Sequence, residues 1–225
     1  MPSGQTDEVI KISKILVVDD HPVTRKGIVR LIAEEKDLSV CGEAESTDDA
    51  LKLIPALQPD LLVIDLSLKN STGIDLIKIV RSHYGNTLKM IVLSMHEETL
   101  LIERAIRAGS RGYVTKREAS GHLIPAIRHV LEGRFYLSEV TREKTLQSDF
   151  SAAHENAMFS LSDRELEIFQ LIGDGMSTSE IAINLHLSIK TVEGYRASIR
   201  TKLKLRNNLE LIRQAIKWTR TSQAA

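Results

Sequence analysis

Cysteine, aromatic residues and long apolar runs are scarce in this sequence, and each scarcity excludes a class of protein. The chain of 225 residues holds a single cysteine, Cys41, which cannot form an internal disulfide, and no CxxC pair suggests a zinc site. Cys41 stands in the apolar run LSVCGEA, so we expect a small residue buried in the core. No stretch approaches the roughly 18 apolar residues that a membrane-spanning helix needs, and the start MPSGQTDEVIKISK has no signal-peptide core. We therefore expect a cytoplasmic protein with no membrane contact.

What the sequence does contain indicates two globular domains of different charge. Hydrophobic residues make up 42% and charged residues 27% of the chain, which is typical of folded domains. Residues 1–159 carry 20 Lys and Arg against 23 Asp and Glu, a net −3, whereas residues 160–225 carry 10 against 7, a net +3. The segment 188–206 holds six basic residues and one acid, Glu193. Such a segment indicates either a polyanion partner or a solvated helix face.

The first part of the chain alternates short apolar runs with amphipathic stretches. Several of these stretches have apolar residues at the i, i+3, i+4, i+7 spacing of helices packed on a sheet. The apolar runs, which we predict to be parallel strands, are KILVVD (14–19), LSVCGEA (38–44), DLLVID (60–65), KMIVLS (89–94) and RGYVT (111–115). The alternation predicts an α/β domain over 14–134, with a five-stranded doubly wound parallel sheet between helices. Sheets of this kind bind ligands at the carboxyl ends of the strands, where the strand order reverses.

Beyond residue 134 the apolar periodicity stops, and a helical module follows. We predict a flexible tail over 1–13, a polar linker over 135–158 and a second, smaller domain over 159–225. Three pairs in that domain fit a helix N-cap followed by a glutamate three residues later: Ser162 with Glu165, Ser177 with Glu180 and Asn207 with Glu210. With a fourth helix over 189–204, the predicted helices 163–173, 178–185 and 208–219 make this domain all-α.

Polar side chains follow the predicted strands at their carboxyl ends. Each alone has an ordinary interpretation, such as a turn cap or a solvated lysine. Together they would meet at one edge of one sheet; they are Asp19, Asp20, Asp65, Ser94 and Lys116. Clustered carboxylates repel one another and need a cation, and an all-oxygen environment suits Mg²⁺ better than a soft metal. The sequence therefore predicts a magnesium site at this edge.

An acidic pair, a strand-end Asp, a Ser and a Lys in this order resemble the receiver domain of bacterial response regulators, which has a flavodoxin-like fold. The sequences DDHP and GYVTK resemble the NarL/FixJ subfamily in particular. The resemblance implies that Asp65 accepts a phosphoryl group from a sensor histidine kinase as an acyl phosphate. It also assigns the metal to Asp19, Asp20, Asp65 and the backbone carbonyl of Ser67. By the same resemblance Lys116 and Ser94 contact the phosphoryl oxygens, and Tyr113 turns inward when Ser94 moves.

Some residues near this predicted site depart from the common family pattern. Leu68-Lys69 stands where Met-Pro is common, and Arg117 stands where Pro is common. Neither departure removes a catalytic group. Ser67 and His96 occupy the positions that flank the water's route to an acyl phosphate in receivers. His96 is either a residue that orients or shields this water or a solvated loop histidine.

The second domain resembles the LuxR-type helix-turn-helix in the run LSDRELEIFQLIGDGMSTSEIAINLHLSIKTVEGYRASIRTKL, with Ser162 and Tyr195 in place of the more frequent Thr and His. A recognition helix of this type enters the major groove of double-stranded DNA. The resemblance makes 189–204 that helix and 208–219 the dimer helix of a homodimer formed on phosphorylation. Its candidate contacts to the DNA backbone are Lys190, Thr191, Arg196, Arg200 and Lys204, and its candidate contacts to bases are Glu193 and Ala197.

Three functions are compatible with these features. The favoured one is a transcription factor controlled by phosphorylation, without turnover of an external substrate. A hydrolase of the haloacid-dehalogenase type would need an acid/base Asp two residues after its nucleophile, where this chain has Ser67, and it would leave the helical module unexplained. A regulator that binds DNA without phosphorylation is disfavoured because all five residues of the phosphorylation site are present.

Overall fold

The computed structural model describes residues 11–68, 71–95, 99–139, 141–142 and 160–224. The predicted parallel sheet is confirmed, and it has six strands in the order β2-β1-β3-β6-β7-β8. A separate two-residue hairpin, β4 with β5, lies beside it. The strands are β1 Ser13–Val18, β2 Leu38–Ala44, β3 Leu61–Ile64, β4 Ser67–Leu68, β5 Ser71–Thr72, β6 Lys89–Ser94, β7 Gly112–Thr115 and β8 Tyr136–Leu137.

Five helices cover this sheet on both faces. They are α1 Pro22–Ala33, α2 Thr47–Leu57, α3 Gly73–Tyr84, α4 Thr99–Ala108 and α5 Ala119–Leu131. One apolar cluster joins α1 and α5 to one face of the sheet, and a second cluster joins α2, α3 and α4 to the other face. The central strands β1 and β3 are buried along almost their whole length, as continuous apolar runs require.

The strand order reverses at β1, which lies between β2 and β3. The chain runs from β1 to β2 on one side and then crosses to β3 on the other. The loops after β1 and β3 therefore leave the sheet in opposite directions and open a crevice between them. Asp19 and Asp20 follow β1, and Asp65 follows β3. The sheet topology thus brings the predicted acidic residues to this crevice.

Four helices form the second domain, as predicted. They are α6 Asp163–Gly173, α7 Thr178–Asn184, α8 Ile189–Lys202 and α9 Asn208–Ala224. The predicted capping boxes of α6 and α7 are present: Ser162 and Ser177 accept hydrogen bonds from the backbone of Glu165 and Glu180, whose carboxylates bond back. At α9, Asn207 accepts from the backbone of Glu210 at 2.9 Å. Helix α8 ends two residues before the predicted end because Lys204 adopts a left-handed backbone with φ 55°.

The second domain packs on the first through α6. The carboxylate of Asp163 accepts from Lys78 of α3 at 2.7 Å and from Arg104 of α4 at 2.8 Å. Arg104 also donates to the carbonyl of Leu161 at 3.0 Å. Because other faces of α6 pack on α8 and α9, almost every residue of α6 is buried. Asp163 therefore bridges two helices of the first domain at the beginning of α6.

Two details differ from expectation. The sixth strand, Tyr136–Leu137, lies in the segment predicted as linker and pairs in parallel with β7. Residues 143–158 of that segment and 1–10 of the predicted tail lie outside the described residues. Cys41 is half-buried, not fully buried, and its thiol donates to the carbonyl of Ile15 at 3.4 Å. None of the helices in the described part of the chain has the length and apolar character that crossing a membrane requires.

Candidate functional site

The acidic pair after β1 is held rigidly. The backbone N–H of His21 donates to Asp19 Oδ1 at 2.8 Å, and Arg25 of α1 donates to the Asp19 carbonyl at 2.6 Å. Arg25 also bonds Glu43 of β2 at 3.1 Å, so the turn after β1 is fixed to the neighbouring strand. The imidazole Nδ1 of His21 lies 2.7 Å from Asp20 Oδ1. Both aspartates are buried, with exposures of 1% and 7%.

Asp65 and Lys116 form the centre of the crevice. Lys116 Nζ donates to Asp65 Oδ2 at 2.7 Å and lies 2.9 Å from Asp19 Oδ2. The exposure of Asp65 is 3%. One ammonium thus faces carboxylates from two different strands. The structure brings together four of the side chains that were predicted to meet at this edge of the sheet: Asp19, Asp20, Asp65 and Lys116.

Burial dominates the protonation chemistry of this cluster. It raises the pKa of Asp65 to about 7, since Lys116 offsets only part of the desolvation and the negative charge of Asp19 adds to it. Burial alone would lower the pKa of Lys116, but Asp65 and Asp19 reverse this effect and raise it overall. A cation near the carboxylates would favour their ionised form.

The donor set fits a hard divalent cation. Ligand atoms of Asp19, Asp20, His21 and Asp65 all lie within 4.8 Å of one another. The carboxylates of Asp19, Asp20 and Asp65 are all buried, and Oδ1 of Asp20 lies 2.7 Å from Nδ1 of His21. Buried carboxylates this close together repel one another unless a cation neutralises part of their charge. Three carboxylates of this kind suit Mg²⁺, whose preferred ligands are oxygens.

The loop after Asp65 is shaped by a close backbone approach. A Cβ on Gly73, the first residue of α3, would lie 2.1 Å from the carbonyl oxygen of Asp65, so only glycine fits. The backbone N–H of Gly73 donates to the carbonyl of Leu66 at 2.7 Å. Ser67, in the hairpin strand β4, donates its backbone N–H to the Asp65 carboxylate, which lowers the pKa of Asp65 slightly against the effect of burial.

Ser94 and Tyr113 lie on the neighbouring strands. Ser94 ends β6 with no exposed surface, and its carbonyl accepts from the backbone N–H of Lys116 at 2.8 Å. Tyr113 of β7 is also fully buried and pairs with Val92 on one side and Leu137 on the other. The side chain of Tyr113 is thus turned inward. His96 and Lys69 lie outside the described residues.

In the second domain, α8 presents a basic and exposed face. Val192 and Ile199 are buried, and they turn the opposite side of the helix outward. Arg196 and Arg200 are half-buried, and burial together with the charge of Arg200 lowers the pKa of Arg196. Nε of Arg200 is buried and donates no hydrogen bond in the described part of the chain. The exposed predicted contact residues are Lys190, Thr191, Glu193, Ala197 and Lys204.

Glu165 fixes α8 to α6. Its carboxylate accepts from Ser198 at 2.6 Å and from Lys202 at 2.6 Å, besides capping its own helix through the backbone of Ser162. Burial alone would raise the pKa of Glu165, but these hydrogen bonds outweigh it and lower the pKa to about 2. Lys202 belongs to the basic segment 188–206, but its ammonium is paired with Glu165 of the same domain.

Helix α9 has two apolar faces. Leu211 and Ala215 are fully buried, and Trp218 packs on Phe169 of α6 with ring centroids 5.9 Å apart. Leu209 and Ile212 point to solvent, with exposures of 56% and 36%. One face therefore packs within the domain, and the other is available to a partner.

Several residues of the site were not predicted from the sequence. His21 and Arg25 hold the acidic pair, and Gly73 makes room for Asp65. His186, in the turn between α7 and α8, places Nε2 3.6 Å from Asp20 Oδ2. The glycine eight residues after Asp65 could have been noticed as the start of a helix. The contact of His186 depends on the packing of two domains, for which the sequence carries no local signal.

Comparison with known proteins agrees with both halves of this description. Residues 15–128 match the family of response regulator receiver domains, and residues 159–215 match the luxR family of bacterial regulatory proteins. The chain is 34% identical to the response regulator GacA of Pseudomonas aeruginosa over 206 residues, which covers 91% of this chain and 95% of GacA. It is 35% identical to the response regulator UvrY of Escherichia coli K12 over 205 residues, covering 90% and 93%.

Solved structures are similar over the same range. A complex of the two-component response regulator RcsB with DNA superimposes with a TM-score of 0.59 at 26% identity, covering 92% of this chain and 98% of that one. RcsB of Salmonella enterica serovar Typhimurium, bound to a promoter in the presence of the phosphomimetic BeF₃⁻, gives 0.59 at 28% identity, covering 90% and 98%. The chain therefore belongs to the NarL/FixJ-type response regulators, with a receiver domain followed by a LuxR-type helix-turn-helix domain.

Proposed function

We propose that this protein is a transcriptional regulator whose binding to DNA is controlled by phosphorylation of Asp65. We assign residues 14–134 to the receiver, 135–158 to the linker and 159–225 to the DNA-binding domain. The observation that carries the proposal is the cluster of Asp65, Lys116 and the acidic pair, 2.7–2.9 Å from ammonium to carboxylate, in the crevice of the sheet. The exposed basic helix α8 of the same chain supplies the output.

Phosphoryl transfer would begin with ionised Asp65. An oxygen of its carboxylate forms a bond to phosphorus while the bond from phosphorus to the histidine nitrogen of a sensor kinase breaks. The ammonium of Lys116 leaves the carboxylates for a phosphoryl oxygen, and the hydroxyl of Ser94 donates to another. Dephosphorylation would follow when a water molecule attacks the phosphorus and Asp65 leaves as a carboxylate. The protein thereby assists its own phosphorylation and dephosphorylation and turns over no external substrate.

Mg²⁺ would be held by Asp19, Asp20, Asp65 and the backbone carbonyl of Ser67. It supplies positive charge that offsets the repulsion between the carboxylate and the phosphoryl group. The burial of three carboxylates so close to one another supports this assignment. His21 is close enough to Asp20 to orient its carboxylate.

Phosphorylation would reach the DNA-binding domain through the strand edge that carries Ser94 and Tyr113. Movement of Ser94 toward the phosphoryl group changes the space beside Tyr113, and this coupling alters the packing of the two domains. A homodimer then forms through the exposed face of α9, where Leu209 and Ile212 offer apolar area to a second copy. Two copies of α8 would read an inverted repeat.

Helix α8 would enter the major groove. The half-buried guanidinium groups of Arg196 and Arg200 lie close enough to repel each other, which a phosphate between them would relieve. Glu193 and Ala197 are exposed on the same helix and would face base edges. The proposed backbone contacts are Lys190, Thr191, Arg196, Arg200 and Lys204.

Labelling with a small-molecule phosphodonor separates this proposal from a regulator that binds DNA without phosphorylation. Acetyl phosphate with Mg²⁺ should add one phosphoryl group to the wild type and none to Asp65→Asn, and only the wild type should gain DNA affinity. Equal DNA binding before and after stoichiometric phosphorylation would overturn the proposal. We expect phosphorylation and DNA binding to take place in the cytoplasm, where a kinase domain and DNA are both accessible.

A further inference from the structure

The turn that carries Lys116 is tied to the beginning of the linker by one carboxylate. Oε2 of Glu118 accepts from the hydroxyl of Thr115 at 2.7 Å and from the hydroxyl of Ser138 at 3.1 Å. Thr115 and Ser138 are buried, with exposures of 4% and 2%. Lys116 stands between Thr115 and Glu118, so the carboxylate closes the turn around it.

Glu118 has no helix-capping role that would explain this arrangement. It occupies the N-cap position of α5, but its backbone is already helical and its side chain makes no cap hydrogen bond. Capping favours short polar residues that accept from the first turn of the helix. The carboxylate of Glu118 instead reaches away from α5, to a strand end on one side and to the linker on the other.

The linker side of this contact has further hydrogen bonds of its own. The hydroxyl oxygens of Ser138 and Thr141 lie 2.9 Å apart, and the backbone N–H of Thr141 donates to the Ser138 hydroxyl at 3.3 Å. Just before Ser138, the strand β8 pairs with β7, and the hydroxyl of Tyr136 lies 2.8 Å from His122 of α5. A displacement of the Lys116 turn is therefore passed to the first residues of the linker.

We infer that Glu118 is a positioning residue for Lys116 and that it couples the phosphorylation site to the linker through Ser138. This inference rests on the proposed function. When Lys116 exchanges Asp65 and Asp19 for a phosphoryl oxygen, the turn moves with it. The hydrogen bond from Ser138 to Glu118 then changes geometry, and the residues after Ser138 change their exposure. The structural change caused by phosphorylation thus reaches the linker directly and does not depend on the interface between α6 and the receiver.

The experiment compares full-length wild type, Glu118→Ala, Glu118→Gln and Ser138→Ala, each with and without acetyl phosphate and Mg²⁺. Glu139→Ala, an exposed carboxylate next to Ser138, is the matched control. The measurements are the phosphorylated fraction, hydrogen exchange of the amides of residues 136–142 and affinity for an operator. An unchanged thermal midpoint in the variants separates positioning from a general loss of stability.

In wild type and in the control, phosphorylation should change the exchange rate of 136–142 several-fold. Glu118→Ala and Ser138→Ala should still be phosphorylated but lose most of this change and at least half of the gain in operator affinity. Glu118→Gln keeps an acceptor oxygen and should restore most of both. Wild-type coupling in Ser138→Ala would overturn the inference, whether or not Glu118→Ala folds. A wild type that is not phosphorylated, or that gains no affinity, would instead contradict the proposed function together with the inference.

Discussion

The ammonium group of Lys116 donates a 2.7 Å hydrogen bond to the carboxylate of Asp65. The proposed nucleophile is therefore already paired before a phosphoryl group arrives. An acyl phosphate carries roughly two negative charges at neutral pH, whereas the ionised carboxylate that it replaces carries one, so the ammonium has a stronger partner after transfer than before. Because Asp19 shares the same ammonium at 2.9 Å, any movement of Lys116 also changes the surroundings of the acidic pair.

Replacing Lys116 by Ala should damage signalling more than phosphorylation. The variant keeps the carboxylates that would hold Mg²⁺ and should still be phosphorylated by acetyl phosphate. It lacks the group that ties the phosphoryl oxygens to the β7–α5 turn, so the gain in operator affinity should fall by about tenfold, within the usual range of coupling free energies. Lys52→Ala, an exposed lysine of α2, is the control. A phosphorylated Lys116→Ala protein that binds like the wild type would show that Lys116 transmits nothing.

Asp65→Asn should stabilise the receiver above neutral pH. Burial raises the pKa of Asp65 from 3.8 to about 7, so the folded state retains a proton more strongly than the unfolded state. The stability from this proton is fully present below pH 3.8 and is lost as pH rises to about 7. At pH 8 without Mg²⁺, the variant should gain roughly 2 kcal/mol in free energy of unfolding.

Urea unfolding at several pH values measures this effect. The difference between Asp65→Asn and wild type should grow from pH 4 to pH 8, and Mg²⁺ should shrink it by stabilising only the wild type. Asp48→Asn, an exposed residue of α2, should show neither trend. A difference that is the same at both ends of the pH range would mean that Asp65 is ionised without penalty.

Glu165 should make the helical domain sensitive to acid. Burial opposes ionisation, but the hydrogen bonds from Lys202, Ser198 and Ser162 lower the pKa of Glu165 from 4.5 to about 2. Because the folded pKa is depressed, this stability is present above about pH 4.5 and is lost as pH falls toward 2. Glu165→Gln should cost on the order of 2 kcal/mol at pH 7 and much less at pH 3.

The fluorescence of Trp218, the only tryptophan, reports on the packing of α9 on α6 in this measurement. Glu180→Gln is the matched control, because Glu180 makes the same capping box in α7 but is exposed and accepts from Ser177. If both variants lost stability equally at pH 7, the contacts to Lys202 and Ser198 would contribute nothing beyond the cap.

Mutations in α8 should distinguish residues that contact the DNA backbone from residues that contact bases. Lys190→Ala and Arg200→Ala should weaken binding to all duplexes alike and reduce the slope of log affinity against log salt by roughly one unit each. Ala197→Gln should change which operators are preferred, because a larger side chain at an exposed position of α8 meets base edges. Lys52→Ala should leave both properties unchanged. Loss of sequence preference in Lys190→Ala would assign that lysine to the bases.

Much of this structure could be predicted because its signals are local. Continuous apolar runs predicted the strands β1 and β3. The pairs Ser162 with Glu165 and Ser177 with Glu180 predicted the first residues of two helices correctly. The site followed from topology: in a doubly wound sheet the carboxyl ends of β1 and β3 meet, so Asp19 and Asp65 had to be neighbours.

The parts that sequence analysis missed depend on contacts between distant residues. The strand β8 has only two residues, too few for any periodicity, and exists because it pairs with β7. The hairpin of Ser67 with Thr72 is equally short. Asp163 was predicted only as the first residue of a helix, whereas docking of the domains makes it the partner of Lys78 and Arg104. Glu165 was likewise predicted only as part of the cap of α6, whereas its carboxylate also accepts hydrogen bonds from α8.

The most direct test of the central claim, that phosphorylation of Asp65 controls sequence-specific DNA binding, is selection from a pool of random duplexes at low salt with phosphorylated and unphosphorylated full-length protein. Phosphorylated protein should enrich an inverted repeat whose half-site centres lie about one helical turn apart, with retention that falls steeply as salt is added. Unphosphorylated protein and Asp65→Asn should enrich it far less. No enriched sequence and no salt-dependent retention with phosphorylated protein would contradict the claim.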